Sequence, residues 1–545
     1  MSHPNPSTAL ARVVLDELAA GGVAVVVVSP GSRSAALAIA AAEHPDLEVR
    51  VAIDERSAAF HALGVAKASG SPAVVISTSG TAPANYLPAV VEADMACVPL
   101  VVVSADRPAE LRGIGANQTI DQVNLYGTKV RSFTGIEAPD PGVDLNPEWR
   151  RLVSDALAAA TGPRPGPIHL NVAFREPTVP VPDDGRTRSD PYPYPTPRVS
   201  RPSPPATTHP VVELDLESER GVLILGDGSY DRAAVIDFAG SLGWPVLATA
   251  LSGARGERVV DAYHHLLVEG IPEDLVPDVA VAVGAIGPDP VLEDLVAAAS
   301  TRVRVDAWGR HIDPGRNASA VVAADPLAVL AEVTGRARPG WAEGWLDRAA
   351  AVRDRVRSVV ATEQSLTGGT VANAMNSLDW GALVVASSLP VREIDVHLNR
   401  PGPVFGNRGA SGIDGFVSTA LGVASVHPRT VALAGDLSFL HDANGFMIDV
   451  QIDCVFVVVD NHGGGLFDAL PQAVHAPHFE RLFITPSGRS IAAVAEAHHA
   501  TVTTVMSIPD VIQVAQEGLS QGGVHVIVVP VDRQEDLQSR LQLGR

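Results

Sequence analysis

The chain of 545 residues is long enough for about three to four domains, and its formal net charge of −22 argues against a nucleic-acid partner, which needs a basic face. Hydrophobic residues make up 46% of the sequence, enough for large cores, but no apolar run approaches the roughly 18 residues of a membrane span. Two cysteines, Cys97 and Cys454, exclude a disulfide framework, and their apolar surroundings predict buried thiols.

The first third of the chain alternates between predicted strands and helices. Segment 6–20 predicts an amphipathic helix rather than a signal peptide, so we expect a soluble, cytoplasmic protein. Continuous apolar runs predict buried strands at 23–28, 49–53, 73–77 and 100–104. The predicted helices between them end near residue 43, span 57–68 and end near residue 94. Four such strand–helix units predict a doubly wound parallel sheet.

A proline-rich stretch separates this region from two further α/β segments. Prolines recur throughout 177–210, which predicts an extended linker. Further strands are predicted at 221–226, 245–249, 279–284, 302–306, 382–388, 430–435, 454–460 and 524–530, with a charged helix at about 341–363. The predicted fold class is therefore α/β with three doubly wound parallel-sheet domains, at 1–180, 211–345 and 346–545, and a linker at 181–210.

Two polar motifs follow predicted strands of the last domain. The motif GDLSFLHDANG occupies 435–445, and DNHGGGLFD occupies 460–468. Asp436 and Asn461 lie 25 residues apart (461 − 436), enough for a strand, a crossover helix and a parallel strand. A carboxylate, an amide and backbone carbonyls beside glycines suit Mg²⁺ held on a diphosphate, because Mg²⁺ prefers oxygen ligands. Glycines at 463–465 let the backbone approach such a group closely.

Glu55 is the second candidate for chemistry. It follows a predicted strand and opens a predicted helix, at the edge of the sheet where α/β proteins bind ligands. Alone, a carboxylate there is explained by the helix macrodipole, but the oxygen-rich motif downstream favours a functional role. Two other groups are interpreted more simply: His475 and His478 as surface residues, and His441 and His462 as residues with local structural roles.

Four arginines stand on predicted loops, Arg33 and Arg107 in the first domain and Arg392 and Arg408 in the third. In a strongly acidic chain, four arginines on the loops of one crevice predict recognition of several substrate carboxylates by forked hydrogen bonds. The alternative is that some of them pair with acids such as Asp106 or Glu393.

Taken in order, eight motifs resemble a known enzyme family. These are SPGSRS, DER, TSGTAPANYLPAVVEA, SADRP, GANQT, GNRGASGIDG, GDLSFLHDANG and NHGGGLF. They resemble 2-succinyl-5-enolpyruvyl-6-hydroxy-3-cyclohexene-1-carboxylate (SEPHCHC) synthases, the thiamine-diphosphate (ThDP) enzymes of menaquinone biosynthesis. The resemblance is dense in the first and last domains, whereas the middle domain agrees only in its fold pattern. Two positions depart from the general ThDP signature, with Leu437 in place of a glycine and Asp460 in place of the first of two asparagines.

The resemblance implies a transferase that uses ThDP and Mg²⁺ or Mn²⁺, with 2-oxoglutarate as donor and isochorismate as acceptor. The first domain would bind the aminopyrimidine and the last the diphosphate. Glu55 would hydrogen-bond N1′ of the aminopyrimidine, and the metal would be held by Asp436, Asn461 and the Gly463 carbonyl. The other cofactor-binding positions implied are Gly412, Ile413, Gly435, Leu437, Ser438, Gly464 and Leu466.

The resemblance also implies which residues contact the substrates. Ser32, Arg33, Arg107, Asn117 and Gln118 match positions near isochorismate and the reacting centre. Ser388, Arg392 and Arg408 match positions that handle the carboxylates of the donor. The family further implies a homo-oligomer, a dimer or tetramer, with active sites between subunits. Alternatives are another ThDP enzyme, such as an acetohydroxyacid synthase or 2-oxo acid decarboxylase, or a non-catalytic subunit with this fold.

Overall fold

The structure is a computed structural model that describes residues 5–140, 145–179, 216–287, 289–362, 365–474 and 477–542. The chain divides into two compact units. The first contains the N-terminal sheet together with Asn407–His427 and His441–Ile452, and the second contains two further sheets. The predicted linker at 181–210 lies outside the described residues, and the predicted domain bounds stay predictions.

The first unit is built on a six-stranded parallel sheet of order β2-β1-β3-β4-β6-β5. Its strands are β1 (Val25–Val28), β2 (Glu48–Val51), β3 (Ala73–Ser77), β4 (Leu100–Asp106), β5 (Phe133–Ile136) and β6 (Ile168–Ala173). Its helices are α1 (Pro6–Ala20), α2 (Ala35–Glu43), α3 (Glu55–Ser69), α4 (Thr81–Ala84), α5 (Leu87–Ala96) and α6 (Asn146–Thr161).

Both faces of this sheet are covered. Val26 and Val28 of β1 belong to a core with α1, α2 and α6, whereas Val25 and Val27 belong to a core with α3 and α5. Successive side chains of a strand point to opposite faces, so a strand between two helical layers is apolar at every position. This explains why β1 consists of four valines in a row.

The second unit contains two more six-stranded parallel sheets, of order β12-β11-β10-β7-β8-β9 and β14-β13-β15-β16-β18-β17. The strands are β7 (Gly221–Leu225), β8 (Val246–Ala248), β9 (Val259–Val260), β10 (Val279–Val283), β11 (Thr301–Val305), β12 (Ala320–Val322), β13 (Ala382–Val385), β14 (Val404–Phe405), β15 (Thr430–Gly435), β16 (Cys454–Asp460), β17 (Thr501–Thr504) and β18 (Val524–Pro530).

Helices α7–α18 lie in the rest of the described chain. They are α7 (Arg232–Leu242), α8 (Tyr263–Leu267), α9 (Pro290–Ala298), α10 (Pro326–Leu330), α11 (Trp341–Thr362), α12 (Gly368–Ala374), α13 (Leu389–His397), α14 (Phe416–Ala424), α15 (Asp436–His441), α16 (Ile491–Ala497), α17 (Ile508–Gln521) and α18 (Arg533–Gln542). Helix α14 lies in the first unit and packs against α3. A Cβ on Gly64 of α3 would lie 2.3 Å from the Thr419 carbonyl oxygen of α14, so the two helices require glycine at this crossing.

The predicted fold class is confirmed, but the predicted strand count was too low. Four strands were predicted per domain, whereas each sheet has six. Strands β3, β15, β16 and β18 have the predicted bounds. Cys97 and Cys454 are buried thiols, as predicted. Among the described helices, none combines the length and apolar character needed to cross a membrane.

Candidate active site

Two carboxylates lie side by side at the carboxyl edge of the third sheet. In the parallel pairing of β15 with β16, Gly435 lies opposite Val459, so the next residues, Asp436 and Asp460, meet at the carboxyl edge. Asp436 is 4% exposed, and its Oδ1 accepts a hydrogen bond from the Leu437 amide at 2.8 Å. Burial, and then the neighbouring Asp460 carboxylate, raise the pKa of Asp436 to about 7. This edge therefore carries negative charge in a poorly solvated position.

Asn461 and Gly463 complete an oxygen-rich cluster at this edge. Asn461 Oδ1 is buried and has no hydrogen-bond partner among the described residues. Gly463 has φ 140°, and a Cβ there would lie 2.2 Å from the Ile484 carbonyl oxygen, so only glycine fits. A buried acceptor without a donor costs free energy unless something else coordinates it, and a hard divalent cation would do so.

The described histidines near this oxygen cluster are exposed rather than buried within it. His462 is exposed, and its Nδ1 lies 3.3 Å from Asp460 Oδ1. His478 is exposed as predicted, whereas His475 lies outside the described residues. Among the residues that the structure describes, no group of three or more His, Cys, Asp or Glu side chains is placed to hold a metal. A metal at the Asp436 edge therefore depends on amide and carbonyl oxygens as well.

Glu55 stands at the first position of α3, in the first unit. Asp54 caps this helix, because its Oδ1 accepts from the amides of Arg56 at 2.9 Å and Ser57 at 3.3 Å. Glu55 is half-buried. Burial raises the pKa of the Tyr86 hydroxyl, and the charge of Glu55 adds to that effect.

A buried aspartate that the sequence did not single out fixes the start of α3. Asp442 accepts from Ser57 Oγ at 3.1 Å and from the Ser418 amide of α14 at 2.7 Å. Asn444 Nδ2 donates to Asp54 Oδ2 at 2.9 Å. The His441 carbonyl accepts a hydrogen bond from Arg56 Nη2, so His441 contributes to the local structure, as predicted, through its backbone. These residues follow Asp436 in the same motif, and that position is the signal by which they could have been found.

Arg33 and Arg107 lie near each other in the first unit. Arg107 Nη1 donates to the Gln118 carbonyl at 2.7 Å, and Arg33 Nη2 lies 3.2 Å from Glu176 Oε1. Burial, and then the positive charge of Arg33, lower the pKa of Arg107. The expected competitor Asp106 pairs instead with Arg112, at 3.3 Å. An anion between Arg33 and Arg107 would be stabilised by both guanidinium groups.

A buried polar network supports Arg107. Asp106 Oδ1 accepts from the Arg107 amide at 2.7 Å, and Asp106 Oδ2 accepts from Asn171 Nδ2 at 2.8 Å. Asn171 Oδ1 in turn accepts from Gln122 Nε2 at 2.8 Å, and Gln122 Oε1 accepts from the Gly80 amide at 3.1 Å. The loop that carries Arg107 is therefore attached to two neighbouring strands, β4 and β6.

Arg392 and Arg408 fall in different units. Arg392 is exposed on α13, and its Nη1 donates to the Ser388 carbonyl at 2.5 Å. Glu393, its expected competitor, lies 3.5 Å from His397 Nε2. Ser388 has φ 78° directly before α13. Arg408 is half-buried in the loop that precedes α14, in the first unit.

The predicted site residues thus form two groups. The first unit holds Ser32, Arg33, Glu55, Arg107, Asn117, Gln118, Arg408, Gly412 and Ile413. The second unit holds Ser388, Arg392, Gly435, Asp436, Leu437, Ser438, Asn461, Gly463, Gly464 and Leu466. In each unit, the residues that follow parallel strands lie at the carboxyl edge of one sheet: Arg33, Glu55 and Arg107 in the first unit, and Asp436 and Asn461 in the second. The loop that carries Arg408 lies elsewhere in the first unit, because its Gly409 and Ala410 amides donate to Glu92 of α5.

Comparison with known proteins identifies the family. Residues 8–125 match the thiamine pyrophosphate enzyme N-terminal TPP binding domain, and residues 391–529 match the corresponding C-terminal TPP binding domain. Three proteins named SEPHCHC synthase are similar over almost their whole length. That of Thermobifida fusca is 39% identical over 99% of this chain and 98% of its own. Those of Geobacillus kaustophilus and Halobacterium salinarum are 38% and 37% identical, over 97% and 100% of this chain and 96% and 99% of their own. The resemblance read from the motifs is confirmed, and the chain belongs to the SEPHCHC synthase family of ThDP-dependent enzymes.

Proposed function

We propose that this enzyme decarboxylates 2-oxoglutarate and adds the remaining four-carbon unit to isochorismate, giving SEPHCHC in menaquinone biosynthesis. The relatives bear the name of this product. The observation that carries the proposal is the buried oxygen cluster of Asp436 and Asn461 at the carboxyl edge of the third sheet. An enzyme with this activity is a transferase of the carboligase type, since it joins the four-carbon unit to isochorismate.

We assign Mg²⁺ or Mn²⁺ to Asp436, the Asn461 side chain and the Gly463 carbonyl. Support comes from the unpartnered Asn461 Oδ1 and from the like charge of Asp460 beside Asp436. A divalent cation offsets both, since it coordinates the free oxygen and neutralises the two carboxylates.

When bound, ThDP supplies the electron sink that decarboxylation of a 2-oxo acid requires. Glu55, at the half-buried start of α3, would hydrogen-bond N1′ of the aminopyrimidine. The residues that would contact the rest of the cofactor are Gly412, Ile413, Gly435, Leu437, Ser438, Gly464 and Leu466.

The arginines bind the carboxylates of the two substrates. Arg33 and Arg107, with Ser32, Asn117 and Gln118, orient isochorismate, which carries two carboxylates. Ser388, Arg392 and Arg408 bind the donor. The net charge of −22 repels anions at long range, so a site for two anionic substrates needs a local concentration of positive charge. Burial, and then the positive charge of Arg33, lower the pKa of Arg107, which supports this role.

We further propose a homo-oligomer, a dimer or tetramer, in which Glu55 and the residues beside it in one subunit meet Asp436 and the residues beside it in another. The two groups of residues lie in separate compact units of the chain, and a symmetric pair of chains would form two equivalent sites. A cytoplasmic location remains a prediction.

Mass-spectrometric product analysis tests the proposed function. Purified enzyme is incubated with 2-oxoglutarate, isochorismate, ThDP and Mg²⁺, and the expected product is SEPHCHC with release of one CO₂. Parallel reactions replace 2-oxoglutarate by pyruvate or omit isochorismate, because an acetohydroxyacid synthase or a simple decarboxylase would turn over under those conditions. Activity confined to the pyruvate reaction would overturn the substrate assignment.

A further inference from the structure

A buried ion pair joins two helices of the first unit, outside the proposed site residues. Lys67 in the last turn of α3 donates from Nζ to Glu92 Oε1 of α5 at 2.8 Å, and their side chains are 9% and 3% exposed. The chain contains only two lysines among its 40 basic residues, at positions 67 and 129. A lysine at this buried position therefore stands out in a chain that otherwise uses arginine.

The other acceptor sites of Glu92 are used by a loop distant in sequence. Glu92 Oε1 accepts from the Gly409 amide at 3.0 Å, and Glu92 Oε2 accepts from the Ala410 amide at 2.7 Å. Lys67 Nζ also lies 3.3 Å from Asn407 Oδ1. One carboxylate and one ammonium group thus hold three positions around Arg408, namely Asn407, Gly409 and Ala410.

The loop also lies directly against α5. A Cβ on Gly409 would lie 2.9 Å from the Met95 Cβ and 3.0 Å from the Glu92 carbonyl oxygen. At its other side, Asn407 Nδ2 donates to Thr419 Oγ1 of α14 at 2.9 Å. The backbone on either side of Arg408 is therefore fixed, whereas the side chain of Ile413, five residues further on, is 38% exposed.

We propose that Glu92 and Lys67 are positioning residues that hold the Asn407–Ile413 loop in the conformation needed to bind the donor substrate. This inference rests on the proposed function, in which Arg408 binds a donor carboxylate and Ile413 supports the cofactor. An ionised carboxylate accepts two backbone amides and an ammonium at once, and such charge-assisted bonds are stronger than neutral ones. A compact ammonium reaches both Glu92 and Asn407 as a point charge, whereas the planar fork of arginine has a different geometry.

The test compares two buried glutamates. In Glu92→Gln, the amide NH₂ faces a backbone N–H, so one loop amide loses its acceptor. The matched control is Glu17→Gln, because Glu17 is 4% exposed at its side chain and pairs with Arg150 at 3.1 Å in the same unit, between α1 and α6. Lys67→Arg keeps the charge pair and changes only its geometry.

Two measurements are made on each variant. In cofactor-free protein, hydrogen exchange of the Gly409 and Ala410 amides should accelerate at least about tenfold in Glu92→Gln, as expected when a buried donor loses its partner. In the complete enzyme, the KM for 2-oxoglutarate should rise about tenfold in Glu92→Gln, while the KM for isochorismate stays within about twofold. Lys67→Arg should show smaller changes in the same direction, and Glu17→Gln should show neither.

Unchanged exchange of the Gly409 and Ala410 amides in Glu92→Gln would overturn the inference. Equal effects in Glu17→Gln would also overturn it, since they would indicate general destabilisation. If Glu92→Gln does not fold, exchange in Lys67→Arg decides, and wild-type protection there would overturn the inference. Failure of the proposed function is seen separately, as absence of product from wild-type enzyme, whereas the exchange experiment uses neither substrate nor cofactor.

Discussion

At the scale of single residues, Glu55 is the carboxylate on which the proposed chemistry depends. Glu55→Gln should lower turnover by about 10²–10⁴-fold, because an amide keeps the shape but cannot share a proton with N1′. The fold should be retained, since Glu55 is only half-buried. The control is Glu148→Gln, an exposed carboxylate in the first turn of α6, which should keep full activity. Near-wild-type turnover of Glu55→Gln would remove this residue from the mechanism.

Replacing Asp436 should weaken metal binding and stabilise the cofactor-free protein. Asp436→Asn should weaken Mg²⁺-dependent ThDP binding by at least about 100-fold, as measured by calorimetry, because a charged ligand is lost. The same change removes repulsion between two buried carboxylates, so the cofactor-free variant should unfold at a higher temperature than the wild type. Unchanged ThDP affinity in the presence of Mg²⁺ would contradict the metal assignment.

Two buried histidines make the protein sensitive to acid. Burial, and for His61 the nearby Arg50 as well, lower the pKa of His61 and of His169 to about 3. The unfolded state binds protons at about pH 6.5, before the folded state does, so stability present above pH 6.5 is lost as the pH falls toward 3. Each histidine contributes a slope of up to about 1.4 kcal/mol per pH unit within that window.

The measurement for this prediction is urea unfolding of the cofactor-free protein between pH 7 and pH 4. In His61→Gln, the free energy of unfolding should fall less steeply with decreasing pH, since a glutamine oxygen still accepts from Arg50 but does not titrate. His478→Gln, which replaces an exposed histidine, is the control. Equal slopes in all three proteins would show that His61 does not remain neutral in the folded state.

At the scale of elements, the sequence predicts every central strand except β6, but among the six edge strands it predicts only β2. Strands β15 and β16 follow the predicted bounds because they are buried on both faces, which requires continuous apolar runs. Strands β9 and β14 have two residues each, so their pairing depends on the neighbouring strand rather than on their own pattern. Strand β6 was missed because it buries His169 and Asn171, whose hydrogen bonds with Ser104 are invisible in the sequence.

The residues of the candidate site also divide into those that the sequence predicts and those that it misses. Asp436 and Asn461 directly follow strands and Glu55 opens the helix after β2, so their placement at a sheet edge is predictable from local pattern. Asp442 and Glu92 act through partners 385 and 318 residues away in the chain, Ser57 and Ala410. No local pattern specifies such contacts, which arise from the packing of α3 and α5 with the segments around α14.

The crossing of α3 and α14 gives a prediction for a single methyl group. Gly64→Ala places a Cβ 2.3 Å from the Thr419 carbonyl, so the helices must separate, at a cost of about 1–3 kcal/mol. Gly240→Ala is the control, because this helical glycine of α7 has open space around it and alanine is the better helix former, by about 1 kcal/mol. Denaturant unfolding should show opposite signs for the two variants. A neutral or stabilising Gly64→Ala would mean that the crossing tolerates a larger residue.

At the scale of the whole molecule, one sequence motif contributes residues to both compact units. In GDLSFLHDANG, Asp436 belongs to the second unit, whereas Asp442 and Asn444 belong to the first, where they fix the start of the helix that carries Glu55. If active sites form between subunits, this segment of one chain serves two sites at once. It would hold the metal in one site and orient the acid of the other.

Complementation between inactive variants tests whether each site draws on two chains. Glu55→Gln and Asp436→Asn subunits are mixed in equal amounts under conditions of proven exchange. With sites between chains, half of the dimers are mixed and each regains one intact site, so activity should recover to about one quarter of wild type. Wild type mixed with the Glu55→Gln/Asp436→Asn double variant provides the converse. There, sites between chains leave about one quarter of wild-type activity, whereas sites within one chain leave about half. No recovery in the first mixture, together with one half in the second, would place Glu55 and Asp436 of each site in the same chain.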